Sequence, residues 1–113
     1  MHEYSIVQSL LDMCEDQAKQ NDAEKITKLV VKIGKLSGVE PHLLQMAFDT
    51  FKEKTVCDGA EFVMNVQDVV VKCRACDAES VITDNHFRCP ACEGTDIAII
   101  DGEEMFLMSL EME

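Results

Sequence analysis

Cys73-Arg74-Ala75-Cys76 and Cys89-Pro90-Ala91-Cys92 are two copies of one motif, a pair of cysteines two residues apart, with twelve residues between the copies. Two intervening residues let both thiolates of a pair turn inward from one tight knuckle. Two such knuckles supply the four sulfurs of a tetrahedral, closed zinc site. The spacer is a little shorter than the roughly 15 to 20 residues usual for this pattern, yet long enough for a hairpin to reverse the chain. Energetics point the same way. About two dozen residues lose roughly 1.5 kcal/mol each on ordering, and only Val81, Ile82 and Phe87 are sizeable apolar groups in the segment. A structural zinc contributes about 10–16 kcal/mol of apparent binding free energy. The segment is therefore expected to depend on metal for its order, while the rest of the chain stays folded without it.

Two other uses of paired cysteines are set aside on physical grounds. A thioredoxin-like redox pair places its first cysteine at a helix N-terminus to depress the thiol pKa. Neither pair here opens an amphipathic helix, and redox catalysis needs one pair rather than two. A zinc ribbon can also bind nucleic acid, but the spacer carries Asp77, Glu79 and Asp84 against Arg88 alone. The whole chain has 22 acidic and 10 basic residues, a net charge of −12. Such a field repels phosphate backbones and attracts cations and basic protein surfaces. With four thiolates already present, His86 reads as a surface residue or a hydrogen-bond donor rather than a metal ligand.

Outward from the cysteines the pattern is that of a packed α+β domain, in a chain of 113 residues of which 47% are hydrophobic. Residues 5–20 carry Val7, Leu10, Leu11, Cys14 and Ala18 on one helical face and Asp12, Glu15, Asp16 and Lys19 opposite. Ser5 with Gln8 would form a capping box, unless the helix begins a turn earlier. Cys14 lies on the apolar stripe and reads as a small core hydrophobe; Cys57 stands apart from the other cysteines. Residues 25–34 alternate, Thr27, Leu29, Val31 and Ile33 against Lys28 and Lys32, which predicts a half-buried strand. Pro41 suits a first helical position, placing Glu40 near the cap of a second helix over 41–54 with Leu44, Ala47, Phe48 and Phe51 as its stripe. After the turn at Asp58-Gly59, Phe62, Met64 and Val66 share one face of a strand. Strand, helix, strand in this order allows a crossover or an antiparallel return.

Beyond the cysteines, residues 97–100 precede Asp101-Gly102, a hairpin signal. Residues 104–112 alternate Phe106, Met108, Leu110 and Met112 against Leu107, Ser109 and Glu111, and are expected to return to the main sheet. The cysteine segment then becomes an insertion at 71–96 within a domain made of 1–70 and 97–113. The seven methionines are spaced as packing residues. No apolar run approaches the roughly 18 residues of a membrane span, and the N-terminus lacks the pattern of a secretory signal. Six cysteines without such a signal favour metal over disulfides, and a cytoplasmic location is expected.

The chain opens Met1-His2-Glu3. A histidine at position two puts an α-amine, a backbone amide, an imidazole and a carboxylate within one residue of each other. Because histidine is not small, the initiator methionine is expected to stay, keeping His2 second. Imidazole suits zinc, copper, iron and nickel, and square-planar nitrogen and oxygen ligation marks Cu(II) or Ni(II). The alternative is an incidental histidine at a frayed end.

Met-His-Glu opening a helix, a late ribbon of two paired cysteines, and a closing Glu-Met-Phe-Leu-Met-Ser-Leu-Glu-Met over 104–112 together resemble the HypA/HybF family of hydrogenase-maturation nickel metallochaperones. The resemblance covers essentially the whole chain. It implies an α+β domain of two helices packed on a small, mostly antiparallel sheet, with an inserted zinc-ribbon domain. It implies nickel at Met1, His2 and Glu3, and zinc at Cys73, Cys76, Cys89 and Cys92. It further implies delivery of Ni(II) to the large subunit of [NiFe]-hydrogenase together with the maturation GTPase HypB, and in some bacteria a role with urease accessory proteins. Such a protein is not an enzyme.

Nickel in a square plane needs a fourth donor beside the His2 imidazole and adjacent backbone nitrogens. Glu3 is nearest in sequence. Glu40 ranks slightly above it if the two helix starts pack together, although a carboxylate there also serves the helix dipole. A zinc-ribbon adaptor that only binds proteins, with His2 irrelevant, and a thiol-disulfide oxidoreductase are the competing functions; a homodimer is carried as an expectation of assembly.

Overall fold

A computed structural model describes residues 2–83 and 86–113, and of His2 the helical backbone only. The expected ligand Met1 and the side chain of His2 lie outside the described residues. The element order is α1 (His2–Gln20), β1 (Ile26–Gly34), α2 (Pro41–Phe51), β2 (Glu61–Gln67), β3 (Val69–Cys73), β4 (Glu79–Ile82), β5 (Ile97–Asp101) and β6 (Met105–Met112). The strands form two three-stranded sheets, ordered β2-β1-β6 and β4-β3-β5. Only the β1–β2 pairing is parallel; the other three are antiparallel. The fold is thus α+β, two helices with small, mostly antiparallel sheets. Its radius of gyration, 17.4 Å, exceeds the roughly 13 Å of one compact body of this length, as two lobes in series require.

The larger core lies between the two helices and the β2-β1-β6 sheet. Val7, Leu10, Leu11, Cys14 and Ala18 are buried as the 3.6-residue spacing predicts, and so are Leu44, Ala47 and Phe48. They meet Leu29, Val31 and Ile33 on the inner face of β1. Phe48 stacks on Phe62 with ring centroids 4.4 Å apart. Each such side chain contributes about 1.5–3 kcal/mol on burial. Cys14 is a core residue as expected, but Cys57 is not isolated. Both are fully buried and their thiols are hydrogen-bonded, which together with burial pushes Cys57 well up.

Four expectations are corrected. First, α1 begins at His2, so Ser5 lies inside the helix and cannot be its cap; the extra turn brings the Tyr4 ring edge-on to Phe51 at 5.3 Å. Second, α2 stops at Phe51 rather than at 54, because Lys54 adopts φ 63 and its amide donates to the Asp58 carboxylate at 3.3 Å. Third, alternation in β1 and β6 changes phase at two register shifts. An extra residue in β1, Thr27, lets Ile26 rather than Thr27 reach the core. An extra residue in β6, Met108, turns Met105 and Leu107 inward with Leu110 and Met112, leaving Phe106 and Met108 exposed. A one-residue slip moves every later side chain to the opposite face. Val66, expected beside Phe62 and Met64, is likewise exposed.

The fourth concerns Asp101-Gly102, which does not close a hairpin: β5 pairs with β3 and β6 with β1. The dipeptide instead carries the chain from one sheet to the other. Gly102 sits at φ 96, and a Cβ there would lie 2.8 Å from the Asp68 carbonyl oxygen. The crossing is clasped by Lys32–Asp101 at 3.0 Å and Lys35–Asp68 at 2.6 Å. The segment 71–96 lies within the span of the second sheet, which takes in both β3 and β5.

The Lys32 ammonium and the Gly102 amide hold the Asp101 carboxyl below the usual carboxylate range. A depressed folded-state value means that the pair's contribution is present above about pH 3.9 and lost as pH falls through the lower folded value. Titration of the Asp101 carboxyl carbon by NMR is expected to give a midpoint below that of a free aspartate, raised towards it by Lys32→Met. An ordinary midpoint in the parent chain would show that the clasp is not made in solution.

Candidate metal centres

The first cysteine of each pair ends or follows the second sheet's framework, and the two knuckles repeat one geometry. The Asp77 amide donates to the Cys73 carbonyl at 2.9 Å, and the Glu93 amide to the Cys89 carbonyl at 2.7 Å. Asp77 and Glu93, each four residues after the first cysteine, adopt φ 63 and 61. Non-glycine residues enter this region at a cost, so the same strain at the same place in both pairs marks one structural requirement met twice. The knuckles are tied together by Arg74, whose amide donates to the Asp96 carbonyl at 2.9 Å and whose guanidinium donates to its carboxylate at 2.8 Å.

The result brings all four expected sulfurs together. The Sγ atoms of Cys73, Cys76, Cys89 and Cys92 lie within 4.8 Å of one another, with Cys73–Cys92 and Cys76–Cys89 both at 3.6 Å. Zinc–sulfur bonds of about 2.3 Å in a tetrahedron put sulfurs about 3.8 Å apart, so the donor set and spacing fit zinc. Cys73 and Cys89 are buried and Cys76 and Cys92 exposed. Four thiols this close cannot all ionise without a cation. The Cys92 backbone amide, joined by that of Ala91, draws Cys89 down to about 7 against the effect of its burial. At Cys76 the Ala78 amide pulls downward, yet the thiols of Cys89 and Cys73 push it up to about 12. A divalent metal removes that conflict. His86 is exposed on the approach to Cys89 and is not among the converging donors.

A second constellation forms where the two helices begin. Glu40 caps α2, its Oε1 accepting from the His42 amide at 3.1 Å, with Pro41 following at the first helical position. Glu3, in the first turn of α1, accepts a long hydrogen bond through Oε2 from the Glu40 amide at 3.5 Å. The starts of α1 and α2 are therefore adjacent, with the Glu3 carboxylate against the Glu40 backbone. Helix N-termini carry partial positive charge, which suits an acid at each of these two helix starts. Nothing in the sequence could have signalled a contact across 37 positions except that both residues begin helices.

Among the described residues, no helix is long and apolar enough to cross a membrane. The family described as "Hydrogenase/urease nickel incorporation, metallochaperone, hypA" matches residues 1–112. The hydrogenase maturation factor HypA of Aquifex aeolicus (strain VF5) is 53% identical over 113 residues, 100% of this chain and 98% of its own. The factor of the same name from Wolinella succinogenes is 46% identical over 114 residues, 100% of this chain and 96% of its own. Among solved structures, the Ni metallochaperone HypA from Helicobacter pylori superposes with a TM-score of 0.68 at 38% identity, covering 97% of this chain and 96% of that one. Metallochaperones of this kind are maturation factors rather than enzymes, and with one family spanning the whole chain, its fold and its four-cysteine centre, this protein belongs to the HypA family of hydrogenase maturation factors.

Proposed function

We propose that this chain binds Ni(II) at Met1, His2 and Glu3 and delivers it to the large subunit of [NiFe]-hydrogenase, in concert with the GTPase HypB, while zinc at the four cysteines holds the ribbon. Urease accessory proteins are further partners in this reading, and the cytoplasm is where it operates. The domain division follows the same logic: a nickel-binding unit built on 1–70 and 97–113, and an inserted ribbon of 71–96, which the strands of the second sheet extend to 69–101. The observation that carries the proposal is the meeting of the two helix starts, which brings Glu3 of the motif against the Glu40 backbone, on elements separate from the sheet that carries the thiolate centre. Two sites of different chemistry suit two metals: thiolates hold zinc permanently, whereas imidazole, backbone nitrogen and carboxylate suit an exchangeable nickel. Oε1 of Glu40 is engaged in capping α2, so as a nickel ligand Glu40 would use its other oxygen.

Calorimetric nickel titration of the zinc-loaded, untagged chain tests the site. His2→Ala, or extra residues before Met1, should weaken binding at least about tenfold, or 1.4 kcal/mol. Because imidazole and amide nitrogen must lose protons to bind, affinity in the parent should fall as pH drops through about 6.5. Unchanged affinity in both altered proteins would remove nickel from the N-terminus.

A further inference from the structure

Both carboxylates that could supply a fourth donor to nickel are already engaged where the helix starts meet. Oε2 of Glu3 faces the Glu40 backbone amide at 3.5 Å, and Oε1 of Glu40 accepts from the His42 backbone amide at 3.1 Å. The two contacts share Glu40, so Glu3 and the first turn of α2 flank one residue. Pro41 restricts the backbone between Glu40 and His42. His42 is exposed on that first turn. Its backbone amide is used, but among the described residues its imidazole has no hydrogen bond or ion pair. The chain has three histidines: His2 opens the motif, His86 stands on the approach to Cys89, and His42 alone lies at the second helix start. Its ring serves no cap, core or salt bridge there.

We propose that the His42 imidazole supplies the fourth donor to nickel, beside the His2 imidazole and the adjacent backbone nitrogens. The inference rests on the nickel reading above and names the donor that completes it. Donor chemistry supports the assignment, because imidazole suits nickel whereas carboxylate oxygen suits magnesium, calcium and manganese. The carboxylates of Glu3 and Glu40 then act as positioning groups that hold the start of α1 against the first turn of α2. The ligands also differ in how they let go. The donors at the chain start share fused chelate rings, so none of them leaves alone. His42 comes from another helix and binds through a single atom. It is therefore the ligand that an acceptor displaces first: one nickel–nitrogen bond breaks as one bond to the acceptor forms, and the imidazole leaves neutral. The ion stays held by the N-terminus until the exchange is complete.

The test loads the untagged, zinc-loaded parent with one equivalent of Ni(II), beside His42→Asn, His86→Asn and His2→Ala. Calorimetry reads nickel affinity, and X-ray absorption at the nickel edge reads imidazoles per nickel. The parent and His86→Asn should each show two imidazoles. His42→Asn should show one and bind nickel at least about tenfold more weakly, the lower bound for losing even an outer-shell partner. Its thermal unfolding should match the parent's, because the Glu40 cap uses the His42 backbone amide and survives the substitution. One imidazole in the parent, an unchanged count in His42→Asn, or parent-like affinity there would overturn the assignment. So would loss of an imidazole in His86→Asn, since the ribbon would then supply the donor. His2→Ala separates the two readings. Nickel binding retained in it removes the N-terminal site altogether, whereas its loss beside a parent-like His42→Asn leaves that site standing and removes His42 alone.

Discussion

Removing zinc should unfold the residues of the second sheet and leave the helical half standing. Among the described residues, the second core contains only Val69, Val71 and Ile82 as buried residues, with Ile97 and Ile99 packed against it. So few side chains cannot offset the ordering of the strands, both knuckles and two strained residues, Asp77 and Glu93. The metal supplies the remainder, about 10–16 kcal/mol for sites of this class. Without it the four thiols would compete for protons at distances of 3.6 Å. The helical core has no such need. In a proton–nitrogen NMR spectrum taken after chelation, signals of residues 69–101 should collapse to unfolded positions while those of α1, β1, α2, β2 and β6 keep their dispersion. Cys73→Ser should reproduce this in excess zinc and spare most nickel binding. Native dispersion throughout in the chelated chain would show that the ribbon is built by its own packing. Acid should act like chelation, because zinc requires every thiol deprotonated.

The same contrast explains what could be read in advance. The thiolate centre was legible because its donors lie in two local motifs, so spacing alone brings each pair together. Helix faces were legible too: a 3.6-residue period at Val7, Leu10, Leu11 and Cys14 needs no knowledge of the partner. Strand phase was legible only until a bulge intervened. Unbroken alternation would make Met108 a core residue, and the register shift opposite Val30 and Val31 has no local signature. The Asp101-Gly102 turn is ambiguous for a related reason. Its chemistry is that of a tight turn, but which strand follows is decided by pairing with β1, some 70 residues earlier in the chain. A helix start near Glu40 is announced by Pro41, whereas the closeness of Glu40 to Glu3 depends on how two helices pack. Contacts between Cys14 and Cys57 were illegible for the same reason.

Gly34→Ala should separate the two lobes without disturbing either metal centre. Gly34 has no unusual backbone conformation to protect; its constraint is space. A Cβ there would fall 2.4 Å from both the carbonyl carbon and the oxygen of Gly102, and these are backbone atoms that cannot swing aside. Gly102 in turn presses on Asp68 and Val69, so three backbone segments stack at the crossing. The end of β1 is bonded to all of them: the Gly34 amide donates to Glu104, Lys35 to Gln67 and Leu36 to Gly102, at 2.8–3.0 Å. One added methyl must therefore displace the 102–104 segment and loosen the adjacent Lys32–Asp101 and Lys35–Asp68 pairs. Overpacking of this kind costs about 1–3 kcal/mol, more than the few tenths to 1 kcal/mol that replacing glycine recovers from the unfolded chain. Urea unfolding of the zinc-loaded protein should show the net loss, and nitrogen relaxation should show residues 69–101 tumbling more independently of the helical half. Zinc and nickel affinities should stay at parent values, because neither ligand set touches the crossing. Parent-like stability together with parent-like tumbling would mean that the crossing has room the close glycine contacts deny, and that the lobes are held by the ion pairs alone.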